Sequence, residues 1–253
     1  WYWFVLFITL GVSSGLVFLY NATKFYGANS TILLKSKESM LDMSTEAKNS
    51  AFENKPDISN EMLILSSRKL TNDAIEKLEV DVSYYIVGRL QTSEVYKGTP
   101  FKIEGKLSDK TLYGAPFNIE IIDKDRCKVW LPEEFGKFEK VVRFGDPLIT
   151  NRFTIIVNGN AELIKNNKGI SSVNYQFIFN SRESLVSRYL GALKIEKVAD
   201  ASAIKGSFED PVPERATDFL DTLTNLYIQN AIAINKAINE NTLSYLDNEI
   251  RYV

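Results

Sequence analysis

The sequence predicts an α+β fold in three parts. These are an N-terminal transmembrane helix, an α+β domain with a β-rich, sandwich-like insert, and a long C-terminal helix. Three observations predict it. Trp1–Tyr20 carries no charge, residues 91–179 alternate apolar and polar residues between turn formers, and residues 214–250 hold helical spacing without Pro or Gly. The expected divisions are 1–20 (membrane helix), 21–90 with 180–210 (α+β domain), 91–179 (β-rich insert) and 211–253 (long helix).

Composition bounds the function. A chain of 253 residues, 45% hydrophobic and 25% charged, builds a proper core of one or two domains. The formal net charge of -2 argues against a polyanion-binding surface, and so against nucleic acid. Cys127 is the single cysteine, so there is no internal disulfide framework. Histidine is absent, which removes Ser-His-Asp and Cys-His catalysis and the usual zinc sites together.

Taken in order, the first element is the uncharged run WYWFVLFITLGVSSGLVFLY. About 20 apolar residues match a hydrocarbon core about 30 Å thick, and Trp1, Tyr2, Trp3 and Tyr20 place aromatic rings near both ends. The run is too long for a signal peptide and lacks a basic start and a small-x-small site. A chain beginning at Trp1 is expected to have lost its natural start, so flanking charge does not give the orientation. Gly11 and Gly15 form a GxxxG, a helix-contact face or simply common membrane-helix glycines. Ser30–Lys35 reads as a buried strand, and 36–58 as a polar loop. Ser59 or Asn60 caps a helix over 60–78, with Met62, Leu63, Leu65, Leu70, Ala74, Ile75 and Leu78 at helical spacing.

Val80–Leu90 changes to β-branched and aromatic residues, a strand signature. Further strands follow around Phe101–Leu107, Phe117–Ile121, Val129–Leu131, Val141–Phe144, Phe153–Val157 and Val173–Phe179, separated by turn formers such as Lys97-Gly98 and Asn158-Gly159. Phe101, Ile103, Ile119, Ile121, Ile155, Val157, Tyr175 and Phe177 should point inward. Ser181 caps a helix to about Leu190, and 193–199 and 201–208 are two more strands. Asp210 is positioned to cap the long helix, and Pro211 and Pro213 sit where a first turn loses no hydrogen bond. Ala216, Phe219, Leu220, Leu223, Leu226 and Tyr227 form the stripe of its front half. In the back half Ile234, Ile238 and Leu246 stand among amides, a narrow stripe suited to contact between copies of the helix.

Catalytic candidates are thin, and neither a cofactor nor a metal is expected. Asp123 and Asp125 on a turn suit a cation weakly and a solvated loop better. Glu133 and Glu134 are adjacent and so rarely face one another as an acid–base pair. Cys127 reads as a small core residue. Arg182 and Arg188 suit an anionic sugar or a solvated helix face. Tyr84, Tyr85, Tyr175 and Tyr189 suit sugar stacking or a core. Asn21-Ala22-Thr23 and Asn29-Ser30-Thr31 fit the N-glycosylation pattern, one that arises easily by chance.

Three segments carry a resemblance. LYNATKFYGANSTILLKSK follows the apolar run, NEMLILSSRKLTNDAIEKLEVDVSYY joins helix to strand, and SFEDPVPERATDFLDTLTNLY begins the long helix with Asp210, Pro213 and Ala216. Together they resemble the bacterial polysaccharide co-polymerases, the Wzz-type chain-length determinants and Wzc-type membrane tyrosine autokinases. The likeness covers roughly 1–90 and 180–250, and its motifs are loose helix caps and apolar stripes. Residues 91–179 depart from the short members and look more like the larger ones. The resemblance implies a ring-forming protein, commonly octameric, of the bacterial inner membrane with most of its chain in the periplasm. It implies as partners membrane lipid, further copies of the chain, and a polysaccharide polymerase or an outer-membrane export protein. Kinase members carry a P-loop domain after a second span. No G-x-x-x-x-G-K-[ST] occurs here, so a kinase domain would have to follow Val253.

Two functions follow as expectations. One is an oligomer that regulates chain length, assembly or export of a surface polysaccharide. The other is the extracytoplasmic ligand-sensing domain of a membrane receptor. A sensor should enclose a pocket of several hundred Å³ with converging polar groups. A co-polymerase should make extensive contacts between identical subunits.

Overall fold

The computed structural model describes residues 1–21, 24–34, 58–88, 91–166, 173–199 and 201–251, with only the backbone described for 17–21 and 243–251. Two units emerge. One is Trp1–Tyr26 with Val82–Asn180, and the other is Gly27–Asp81 with Ser181–Val253. The loop expected over 36–57 lies outside the described residues.

The expectation of a membrane-spanning N-terminal helix is corrected. Helix α1 (Tyr2–Asn21) forms, but among the described residues no helix is long and apolar enough to cross a membrane. The fold is a mixed one: the described residues form twelve strands in three antiparallel sheets, with one long helix at the C-terminal end.

In the second unit, β1 (Tyr26–Leu33) precedes α2 (Ile58–Leu65) and α3 (Arg68–Leu78). The single helix expected over 60–78 is therefore two. Ser66 Oγ donates back to the Met62 carbonyl, and Ser67 takes up extended backbone and accepts the Leu70 N–H at 3.2 Å. A serine that caps a new helix ends the old one. Glu79, in the left-handed region at φ 51°, then closes α3.

Strand β2 (Val82–Val87) opens the sandwich of the first unit. The sequence reading placed it with the α+β domain, but it pairs with the insert. It is followed by β3 (Thr92–Val95), β4 (Phe101–Leu107), β5 (Pro116–Ile121), β6 (Arg126–Leu131), β7 (Phe138–Arg143), β8 (Pro147–Ile149) and β9 (Phe153–Gly159). A short α4 (Ala161–Asn166) and β10 (Asn174–Phe179) complete it. One sheet runs β3-β2-β10-β5-β6-β7 and the other β4-β9-β8. Their inner faces close on a shared core in which Phe117 stacks on Phe177 at 5.1 Å and meets Phe153 edge-on at 5.4 Å. All eight residues expected to point inward are buried there.

The chain returns to the second unit through α5 (Arg182–Ala192), capped by Ser181, which accepts the Ser184 N–H at 3.2 Å. Strands β11 (Leu193–Lys197) and β12 (Ala203–Asp210) pair antiparallel, and the sheet order is β1-β12-β11. Helix α6 (Pro213–Arg251) ends the fold with 39 residues, about 58 Å long.

Candidate functional site

The most distinctive surface lies on α6, and its start fixes its direction. Asp210, at the end of β12, accepts the Val212 N–H at 2.7 Å. It also takes the Arg215 guanidinium, Nε to both carboxylate oxygens at 3.0 Å and Nη2 at 2.8 Å. Both side chains are almost fully buried. The Val212 carbonyl accepts the Ala216 N–H, so Val212 occupies the cap position and Pro213 the first turn. Asp210 thus fastens the strand-to-helix turn and the third helical residue instead of capping helix amides. Pro211 lies in the turn outside the helix.

From there the front half is core. Ala216, Phe219, Leu220, Leu223 and Tyr227 are buried, and Phe219 meets Phe208 at 4.5 Å and Tyr189 at 4.8 Å. Tyr227 Oη donates to Glu61 Oε2 at 2.6 Å, which ties α6 to α2. Burial, with the Glu61 hydrogen bond second, pushes the Tyr227 hydroxyl above the ordinary tyrosine range.

Beyond Tyr227 burial stops. Ile228, Ile232, Ile234 and Ile238 are 41%, 62%, 58% and 49% exposed. At about 100° per residue, Ile234 and Ile238 prolong the stripe that holds Leu220 and Tyr227. Ile228 and Ile232 form a second stripe about 80–160° round the helix from that pair. The third expected contact residue, Leu246, lies outside the residues whose side chains are described. Ile228 and Ile232 were missed by the sequence reading, although their i, i+4 spacing was visible. Lys236 and Glu240 pair at 3.8 Å on an exposed turn between them.

A second feature belongs to the first unit alone. A cleft of about 670 Å³ is lined by the Asp123–Arg126 turn, Arg143, Phe144, Gly159, Ala161 and Ile164. Asp123 is committed within it: it accepts Arg126 Nε at 2.8 Å and the Asp125 N–H at 3.0 Å, which in that order hold its carboxyl below the usual range. The D-x-D is therefore a self-satisfied turn, and no cluster that could hold a metal occurs among the described residues.

The remaining candidates sit apart. Glu133 and Glu134 lie on a single 3-10 turn, Glu133 3.5 Å from exposed Lys137. Cys127 is buried in the sandwich core, which pushes its thiol up to about 12. Arg182 pairs with Asp81 at 3.6 Å. Tyr84, Tyr175 and Tyr189 pack into cores, with the Tyr84 hydroxyl accepting the Ile103 N–H at 2.9 Å. Tyr85 faces the other way. Compared with known proteins, the chain matches no protein-family model and none of the curated proteins.

Proposed function

We propose that this chain is an oligomeric scaffold, working by self-association through α6 in the assembly, length control or export of a surface polysaccharide. One observation carries the self-association. The stripe that buries Phe219, Leu220, Leu223 and Tyr227 continues as Ile234 and Ile238, about half exposed, with no change of face. Apolar surface of that kind on a helix end is favourable to bury, at roughly 25 cal/mol per Å². A repeated contact of one copy with the next closes a ring if the rotation closes. The polysaccharide assignment and a periplasmic setting rest on the likeness of the three segments that lead into β1, α2–α3 and α6. No membrane span enters this reading.

The test is a deletion strain complemented with the wild type, Ile234→Asp or Ile238→Asp. Both variants should fold as the wild type does and shift the length or amount of surface polysaccharide on a gel. An unchanged polymer profile in the deletion strain itself contradicts the assignment.

The cleft beside Asp123 favours the second reading, a ligand-sensing domain. Its size and its charged lining, Arg143 included, are those of a small-molecule site. That reading predicts a monomer whose unfolding midpoint rises with a small anion bound at Arg143, and an Arg143→Ala variant that loses the rise.

A further inference from the structure

Of the four tyrosines weighed as sugar-stacking residues, Tyr85 alone lies on the outer face of the six-stranded sheet. Strand register places it in a row. Tyr85 is the partner of Gln176, Gln176 of Asn118, and Asn118 of Trp130. Their strand neighbours Tyr84, Phe177, Phe117 and Val129 face the core on the other side. All four residues of the row are half-buried. The row therefore reads aromatic, amide, amide, aromatic straight across four strands.

The Trp130 end of this row is held. Lys128 Nζ lies 5.6 Å from the Trp130 ring centre and 2.8 Å from Glu139, the residue opposite Trp130 on β7. The distance from Tyr85 to Trp130 is three strand spacings, about 14 Å, or about three hexose rings. Sheet twist turns the two end strands by roughly 60–75° relative to one another.

The chemistry of the row selects its partner. A sugar ring has an apolar C–H face and a rim of hydroxyls. Aromatic rings cover the first, and side-chain amides both donate to and accept from the second. A peptide adding as a strand would need a sheet edge instead of a face. On the same face Glu94, Glu120 and Glu139 stand beside Lys128, Arg126 and Arg143, so opposite charges balance and no single-sign field favours a charged polymer over a neutral one.

We infer that the outer face of the six-stranded sheet binds an uncharged oligosaccharide laid across the strands, stacked on Tyr85 and Trp130 and hydrogen-bonded by Gln176 and Asn118. This names a ligand class for the polysaccharide reading, but it uses none of the α6 residues.

The test is titration calorimetry of the full chain with chitohexaose, laminarihexaose and maltohexaose, and with hexagalacturonate as the anionic arm. At least one neutral hexasaccharide should bind, hexagalacturonate should not, and the corresponding monosaccharide should bind at least tenfold more weakly. Trp130→Ala and Tyr85→Ala should each weaken binding by about tenfold, as loss of one stacked ring does, while Trp130→Phe keeps most of it. Asn118→Leu with Gln176→Leu keeps the volume and removes the hydrogen bonds, so it carries the same test should Trp130→Ala unfold. Ile234→Asp should bind as the wild type does, which separates this site from the scaffold. No binding by any neutral hexasaccharide, equal binding of hexagalacturonate, or binding that survives Tyr85→Ala with Trp130→Ala overturns the inference.

Discussion

Arg152 shows how much one side chain can organise in the β unit. Its Nε donates to Asp109 at 2.9 Å, its Nη1 donates to the Phe135 carbonyl at 2.7 Å, and its own carbonyl accepts the Ser108 and Asp109 N–H groups. Three turns meet on it. None of this was legible in the sequence, because the side-chain partners lie 43 and 17 residues away and an Arg beside a turn looks like any solvated charge. Arg152→Lys should destabilise almost as much as Arg152→Ala, since an ammonium lacks the fork that reaches two directions; chemical denaturation reads the difference. Asp109 gives a pH test. The Thr111 hydroxyl and amide, then Arg152, lower its carboxyl from 3.8 to about 2. A lowered folded value means the stabilisation is present in full above about pH 4 and is lost as pH falls through about 2. The stability gap between wild type and Asp109→Asn should therefore hold steady from neutral pH to about 4 and close below it. In the other unit, Arg215→Ala leaves Asp210 buried without its partner and should cost about 3–5 kcal/mol. Asp210→Leu with Arg215→Leu together should cost less than that single change, because no lone charge remains.

Elements were legible where periodicity had room to repeat. The alternation through Asn174–Phe179 predicted Tyr175 and Phe177 inward, and both are buried while Asn174 is exposed. Tyr175→Asp should cost several kcal/mol and Asn174→Asp under one, by urea unfolding. Equal losses would contradict the register. The Ser66-Ser67 break went unread, because the apolar stripe runs on through it. Ser67→Ala should cost about 1 kcal/mol by removing the α3 cap, without fusing α2 to α3. Strands β3 and β8 and helix α4 escaped the sequence reading because four, three and six residues are too short to show a period. Strand β2 was found but assigned to the wrong unit. A strand's composition says that it sits in a sheet, and its partner β10 lies some 90 residues on.

At the scale of the whole molecule, hydrophobicity alone misled at one end and informed at the other. Trp1–Tyr20 was read as a membrane span from its uncharged composition, and no helix among the described residues meets the length and apolarity that crossing requires. At the other end, the change from large apolar residues to isoleucines among amides did mark where α6 leaves its core, between Tyr227 and Ile228. The proposed scaffold requires that copies of the chain associate through this part of α6. Light scattering coupled to size-exclusion chromatography of the full chain, wild type beside Ile234→Asp, tests it most directly. Self-association gives a wild-type mass that is a fixed multiple of 28.7 kDa and a smaller mass for Ile234→Asp with the same circular dichroism. A wild type that elutes at 28.7 kDa over the whole accessible concentration range contradicts it.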